Sequence, residues 1–296
     1  MLDSHLSLTV AVAGVVLAVA ATETRIRLYT TRADSGTQVQ FSAAATLEGH
    51  TDWVRCLDFV APITEGTECD YDVKPGELLL ASGAQDNYIR LWRVSRAQPI
   101  APTPAASPSK GLSDLETIRN LEAALDGGDG GELRMKAHSF TVENERFSCS
   151  SEAVLFGHEA WVTGVHWSPA HSSASKRQLR LLSASADRSM IMWEPTAEPS
   201  TSSATSIWTS TERFGELDST TNLGFFGGLW SAESSTVLAH GWGGAWHVWH
   251  RDEQGWEPVV GVSGHHDGAR SLAWEPQGRY LLSAGCVRSD AATDCD

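Results

Sequence analysis

Two stretches of this chain can be laid over each other without a gap. LLLASGAQDNYIRLW at 78–92 and LRLLSASADRSMIMW at 179–193 place a serine, an aspartate and a tryptophan at the same offsets: Ser82, Asp86 and Trp92, then Ser183, Asp187 and Trp193. Upstream, the dipeptide Gly-His occurs at 49–50, 157–158 and 264–265. Nine residues after each of these histidines stands an aromatic: Phe59, Trp167 and Trp274. Such self-similarity constrains the fold more than composition does, because every copy must form the same small unit and bury its apolar face against the next. The runs WVRCLDF, WVTGVHW and ARSLAW alternate with the two-residue period of half-buried strands. The aspartate falls between two strand-like runs, where a turn belongs.

Gly-His, Ser, Asp and Trp at this spacing resemble the WD-repeat β-propeller, which implies an all-β fold whose blades are four-stranded antiparallel sheets. The resemblance also gives the polar residues a structural role. The tryptophan donates its indole N–H to the serine hydroxyl, which meets the histidine, which meets the turn aspartate. One relay would comprise His50, Ser82, Asp86 and Trp92, and a second His158, Ser183, Asp187 and Trp193. A buried donor without a partner costs ~1–3 kcal/mol, so each relay would hold its blade in one register. The competing reading is a hydrolytic Ser-His-Asp triad. It would need the same triad twice, and the chain has no G-x-S-x-G elbow.

Five repeat units can be drawn, so the propeller is expected to be incomplete, with about four to five blades of an expected seven. The first is partial, about 6–47, with Tyr29 at the tryptophan position and Glu23 at the aspartate position. The others run 49–156, 157–217, about 222–263, and 264–285. The fourth departs from the pattern: TNLGF replaces the Gly-His entry and Gly243 stands where the aspartate belongs, although Trp249 survives. Aromatic packing from Trp230, Trp242, Trp246 and Trp256 is expected to hold it instead. In the fifth, Val287 takes the aspartate position, and residues 286–296 read as a divergent tail or a truncation.

Residues 97–137 interrupt the second unit. Pro99, Pro102, Pro104 and Pro108 stand at one end and GGDGG (127–131) at the other. This reads as a flexible surface loop between the third and fourth strands. Within it, Ser113 and Glu116 form a capping-box pattern ahead of Leu115, Ile118, Leu121 and Leu125, the apolar side of a short helix. A helix that short is marginal in water unless it docks.

The remaining features exclude function classes. With 22 Lys plus Arg against 37 Asp plus Glu, the net charge is −15, which repels phosphate polymers and argues against direct nucleic-acid binding. The five cysteines (56, 69, 149, 286 and 295) form no C-x-x-C pair and suit free thiols, and no asparagine starts a glycosylation sequon. The apolar run Leu6 to Ala21 follows a flank without Lys or Arg and is short for a membrane span of ~20 residues. It reads as two buried strands turning at Gly14, in a chain of the cytosol or nucleus with no membrane contact. There is no Gly-Lys of a P-loop, no G-x-G-x-x-G and no H-E-x-x-H. His240, His247 and His250 cluster in sequence, but no cysteine or carboxylate shares their spacing. No catalytic residue, metal site or cofactor is expected.

The order of GHTDWVR (49–55), LLLASGAQDNYIRLWRV (78–94), GHEAWVTGVHWSP (157–169), LLSASADRSMIMWEP (181–195), LGFFGGLW (223–230), VLAHGWGGAWHVW (237–249) and VSGH (262–265) resembles the subunit 2 family of Elongator, the complex that modifies wobble uridines of tRNA. The aberrant fourth unit and the proline-rich insertion both fit. The match covers roughly 15–285 and corresponds to the later blades of the first of that family's two propellers. The resemblance implies a non-catalytic scaffold whose partners are other Elongator subunits, the largest subunit and the radical-SAM acetyltransferase subunit. The alternative is a peptide-binding adaptor of another complex, for example a histone-tail reader. A secreted propeller enzyme is disfavoured by the missing sequons and the uncharged N-terminal flank.

Overall fold

The computed structural model describes residues 9–13, 16–33, 39–60, 63, 68–96, 138–142, 145–169, 176–197, 206–215, 224–265, 267–275 and 279–285. All regular structure among them is β. The first sheet takes β1 (Thr9–Ala13), β2 (Val16–Ala20), β3 (Ile26–Ala33) and β4 (Val39–Leu47) as an antiparallel meander in chain order. The second starts with β5 (Val54–Phe59). A two-residue strand, β6 (Glu68–Cys69), follows, and then β7 (Leu78–Ala84), β8 (Ile89–Arg96), β9 (His138–Val142) and β10 (Glu145–Leu155) complete the sheet in the order β5-β7-β8-β10-β9. In the third, β11 (Val162–Trp167) leads to a short β12 (Lys176–Arg177), then to β13 (Leu181–Ser185), β14 (Met190–Ala197) and β15 (Ser206–Phe214). The fourth is β16 (Phe225–Trp230), β17 (Thr236–Gly241), β18 (Ala245–Arg251) and β19 (Trp256–Ser263). The last pairs only β20 (Ala269–Trp274) and β21 (Leu281–Gly285).

The first strands stand side by side in chain order, β1 against β5, β5 against β11, β11 against β16 and β16 against β20. Successive sheets therefore stack face to face about a common axis, the propeller arrangement. Each core lies between two sheets. Val16, Ile26 and Leu28 meet Val54, Leu80 and Trp92 in the first. Leu79, Ile89 and Leu91 meet Val165, Trp167 and Leu181 in the second. Leu182, Met190 and Met192 meet Phe225, Trp230 and Trp249 in the third. Because a middle strand is covered on both faces, β7 and β13 are buried almost residue by residue and read as continuous apolar runs.

The chain leaves β8 and returns through β9, which pairs on the outside of β10. An added edge strand, which the sequence reading did not include, thus stands in chain order between the third and fourth strands. The insertion itself, with the helix expected at 113–125, lies outside the described residues, as do the turn at Gly14 and the tail 286–296. A second unanticipated feature is the parallel pairing of β6 with β12, which ties the second and third sheets together away from the axis.

The packing of the fourth sheet corrects the sequence reading. Its core uses Phe214, Phe225, Trp230 and Trp249, with Trp256 packed against them. Trp242 is 42 % exposed and stands outside that core, and Trp246 is not among its members. In the strand β18, alternation sends residues 246 and 249 to opposite faces, so they cannot both serve one core.

Candidate functional site

Both polar relays assemble. In the second sheet the Trp92 indole N–H donates to Ser82 Oγ at 2.9 Å, and Ser82 Oγ lies 2.8 Å from His50 Nε2. His50 Nδ1 is 2.9 Å from Asp86 Oδ2, which also accepts the Thr51 amide at 3.0 Å. The third sheet repeats these contacts: Trp193 to Ser183 at 2.9 Å, Ser183 to His158 at 2.8 Å and His158 to Asp187 at 2.9 Å. With a neutral imidazole protonated on Nδ1, every donor points one way, from indole to hydroxyl to imidazole to carboxylate, and no proton is left over. Burial alone would push both carboxyls up. The histidine hydrogen bond, joined by the Thr51 and Tyr88 amides at Asp86 and by Ser189 and the Glu159 amide at Asp187, instead carries both below the ordinary carboxylate range.

The backbone supports the arrangement. Asp86 and Asp187 sit in the turns between second and third strands, and the next residues, Asn87 (φ 68°) and Arg188 (φ 72°), take the left-handed conformation. Ser82 and Ser183 have no solvent exposure. A substrate carbonyl cannot reach either hydroxyl, so the Ser-His-Asp geometry here is a structural tie.

Elsewhere the relay is only partial. His265 Nε2 meets Ser283 Oγ at 2.9 Å in the last sheet, with position 287 outside the described residues. In the fourth sheet Ala239 takes the serine position, and the buried His240 turns its Nδ1 to the carbonyl of Ala269 in the neighbouring sheet at 2.7 Å. Burial lowers the His240 pKa against the opposing effect of that carbonyl. His250 meets Thr236 Oγ1 at 3.1 Å, and the His247 ring lies 5.6 Å from Phe225. The three histidines thus face three different partners. Among the described residues no group of histidine, cysteine and carboxylate side chains is arranged to hold a metal.

Sequence reasoning missed a second device, a bracket between sheets. The Trp167 amide donates to Asp58 Oδ2 at 2.7 Å while its indole donates to the Asp58 carbonyl at 3.1 Å. One sheet further on, the Trp230 amide meets His166 Nδ1 at 3.3 Å and its indole the His166 carbonyl at 3.2 Å. Asp58 and His166 occupy the same place, one residue before the aromatic that ends the first strand. Desolvation raises the Asp58 pKa to about 7 against the pull of its amide donors, and lowers that of His166 to about 4. A neutral imidazole is what leaves Nδ1 free to accept. The polar residue at that offset was the available signal. It carried no meaning until the neighbouring sheet supplied the tryptophan.

With the polar atoms turned inward, large aromatics remain at one end of the sheets. Trp53 (44 % exposed) and Trp161 (45 %) immediately precede β5 and β11, and Trp242 stands in the turn after β17. The carbonyls of Trp53 and Trp161 accept the amides of Gln85 and Ala186 in the relay turns, which places them at the aspartate end of the molecule. Tyr88 and Phe156 pack edge to face at that end with centroids 5.1 Å apart. Trp242 lies 4.2 Å from Phe226, and the Arg270 guanidinium covers both rings, 4.4 Å from Phe226 and 5.3 Å from Trp242. A cluster of exposed aromatics on a folded chain marks a contact surface, because exposed indole rings gain most when a partner removes them from water.

Comparison with known proteins places this geometry in context. The family model described as WD domain, G-beta repeat matches residues 41–93, 149–194 and 256–290. Elongator complex protein 2 of Danio rerio is 36% identical over 288 residues, covering 96% of this chain and 29% of that protein. Its Drosophila melanogaster counterpart is 37% identical over 249 residues (83% of this chain, 27% of that protein), and the Homo sapiens one 31% over 255 residues (83% and 26%). The chain therefore spans between a quarter and a third of these relatives' length. Among solved structures, Sqt1 from Chaetomium thermophilum superposes with a TM-score of 0.54 at 15% identity, over 94% of this chain and 53% of that one. A chain of the mitotic checkpoint complex gives 0.52 at 16%, over 93% and 57%. At such identities these structures speak to the fold alone.

Proposed function

We propose that this chain, a WD-repeat propeller chain homologous to Elongator complex protein 2, acts as a non-catalytic scaffold of the Elongator complex, in the cytosol or nucleus. On this reading it supports wobble-uridine modification of tRNA through protein contacts alone. Its neighbours are other Elongator subunits, the largest subunit and the radical-SAM acetyltransferase subunit. The observation that carries the proposal is the division of labour at the aspartate end. Ser82 and Ser183 are spent inside the relays, while Trp53, Trp161 and Trp242 stand exposed. Interfaces concentrate their binding energy in such anchors, and removing one typically costs 2 kcal/mol or more, about 30-fold in affinity.

The test is co-purification of the whole chain with the other subunits, comparing the parent with the double variant Trp53→Ser, Trp161→Ser. Both indoles lie outside the three cores, so the melting temperature should stay within a few degrees while recovery of at least one neighbour drops sharply. Unchanged recovery of both neighbours with the double variant would overturn the assignment of this face. Failure of the parent to capture either would overturn the scaffold reading itself.

A further inference from the structure

At the opposite end of the sheets, residues 168–169 and 176–180 and the turn joining β16 to β17 border a cavity of about 110 Å³. Lys176, Arg177 and Arg180 line it, with the hydroxyls of Ser168 and Ser234. Three cations around one small cavity are unexpected on a chain whose acids outnumber its bases by 15. The neighbouring carboxylates are already engaged. Glu194 pairs with Arg180 at 2.7 Å, and Asp70 accepts the Leu179 amide at 2.9 Å while its charge acts on Arg177 and Lys176. Ser168 is satisfied too, accepting the Arg180 amide at 3.2 Å.

Ser234 is different. It is 8 % exposed, its Oγ has no hydrogen-bond partner among the described residues, and its backbone sits at φ 53°, a conformation disfavoured for a residue with a side chain. A buried hydroxyl without an acceptor is costly, and a strained residue on a cavity wall points to a ligand that compensates. The acceptors of Gln178 are taken up by Ser168 and Arg180, and Lys176, Arg177 and Arg180 can only donate, so the missing partner is an acceptor. It must also be small enough for a cavity of about 110 Å³.

We propose that this cavity binds a single phosphate-class oxyanion. Ser234 Oγ–H and the Arg177 guanidinium donate to its oxygens and Lys176 supplies a nearby point charge. The anion is either free phosphate or the phosphoryl group of a phosphorylated partner side chain. A nucleic acid is not the occupant, because the flanking surface of an acidic chain repels the neighbouring phosphates.

Inorganic phosphate titrated into the whole chain in chloride buffer, followed by calorimetry and thermal melting, tests this. The parent should bind phosphate and melt higher in its presence. Ser234→Gly suits the backbone angle and removes the unpaired hydroxyl, so it should be as stable as the parent without phosphate yet bind it roughly tenfold more weakly. Lys176→Gln, on an exposed position, should weaken binding about threefold. A phosphoserine peptide that binds more tightly than free phosphate, while its unphosphorylated form does not bind, identifies a partner's phosphoryl group; equal affinity identifies free phosphate. Absence of any phosphate effect in the parent, an effect unchanged in Ser234→Gly, or tighter binding of a single-stranded oligonucleotide would each sink the proposal.

Discussion

Asp58 and Asp187 show one side-chain type contributing with opposite signs. Asp187 gains a histidine, a hydroxyl and an amide in the folded chain, so its carboxyl is held below the ordinary 3.8. Its contribution is full above that value and is lost as the pH falls below it. Asp58 gains amide donors but loses more hydration, and its carboxyl is raised to about 7. Between the ordinary 3.8 and about 7 the folded chain holds a proton that the unfolded chain has released. Stability therefore declines as pH rises through that window and is lowest above it. Asp58→Asn keeps an oxygen for the Trp167 amide and has no ionisation to suppress. The full displacement corresponds to about 4 kcal/mol, but the side chain is only partly buried, so a gain of about 2 kcal/mol is expected at pH 8. That gain should shrink towards zero below pH 4. Urea denaturation of both proteins across this range checks it, and a variant less stable than the parent at pH 8 would show that the carboxylate charge itself is needed by the bracket.

Between elements, one tight constraint is where β11 crosses β16. A Cβ built on Gly164 would lie 2.7 Å from Gly227 Cα and 3.2 Å from the Phe226 carbonyl, both backbone atoms that cannot swing aside. Gly164→Ala should force the two sheets apart and destabilise the chain by about 2 kcal/mol, as overpacking does. Gly76→Ala, with nothing within 4 Å but φ at 86°, serves as a control that tests backbone strain alone. Thermal melts of the two variants separate the effects, and an unaltered Tm for Gly164→Ala would mean that the sheets slide freely. The same crossing shows what the sequence could and could not reveal. The relay of Ser183, Asp187 and Trp193 was legible because its members lie within one sheet, at fixed offsets set by a hairpin. The pairing of Gly164 with Gly227, and of Asp58 with Trp167, joins different sheets, and nothing local to either residue encodes it. Likewise the tryptophans of 242–256 were legible as a packing set, but not the face each would take. A strand's alternation assigns opposite faces without saying which one the next sheet covers.

Across the whole molecule, stability passes from sheet to sheet, since each packs chiefly on its neighbours in chain order. The links are unequal. The second and third sheets share a core, the Asp58 bracket and the β6–β12 pairing. The third and fourth share a core and the His166 bracket. Between the fourth and last sheets the corresponding position is Leu229, which offers no side-chain acceptor, and the Trp274 indole N–H has no hydrogen-bond partner among the described residues. The link there is the His240 bond to Ala269, reinforced by Arg270 over the Phe226 and Trp242 rings. Among the described residues the last sheet consists of β20 and β21 and leaves Leu282 68 % exposed, and a two-stranded sheet is marginal alone. Opening should therefore begin at that end. In native-state hydrogen exchange, the amides of β20 and β21 should open at a free energy at least about 2 kcal/mol below those of β7 and β13. His240→Ala should lower protection in β20 while leaving β7 unchanged. Equal protection in β7, β13 and β20 would show instead that the sheets unfold as one unit and that the brackets are not what couples them.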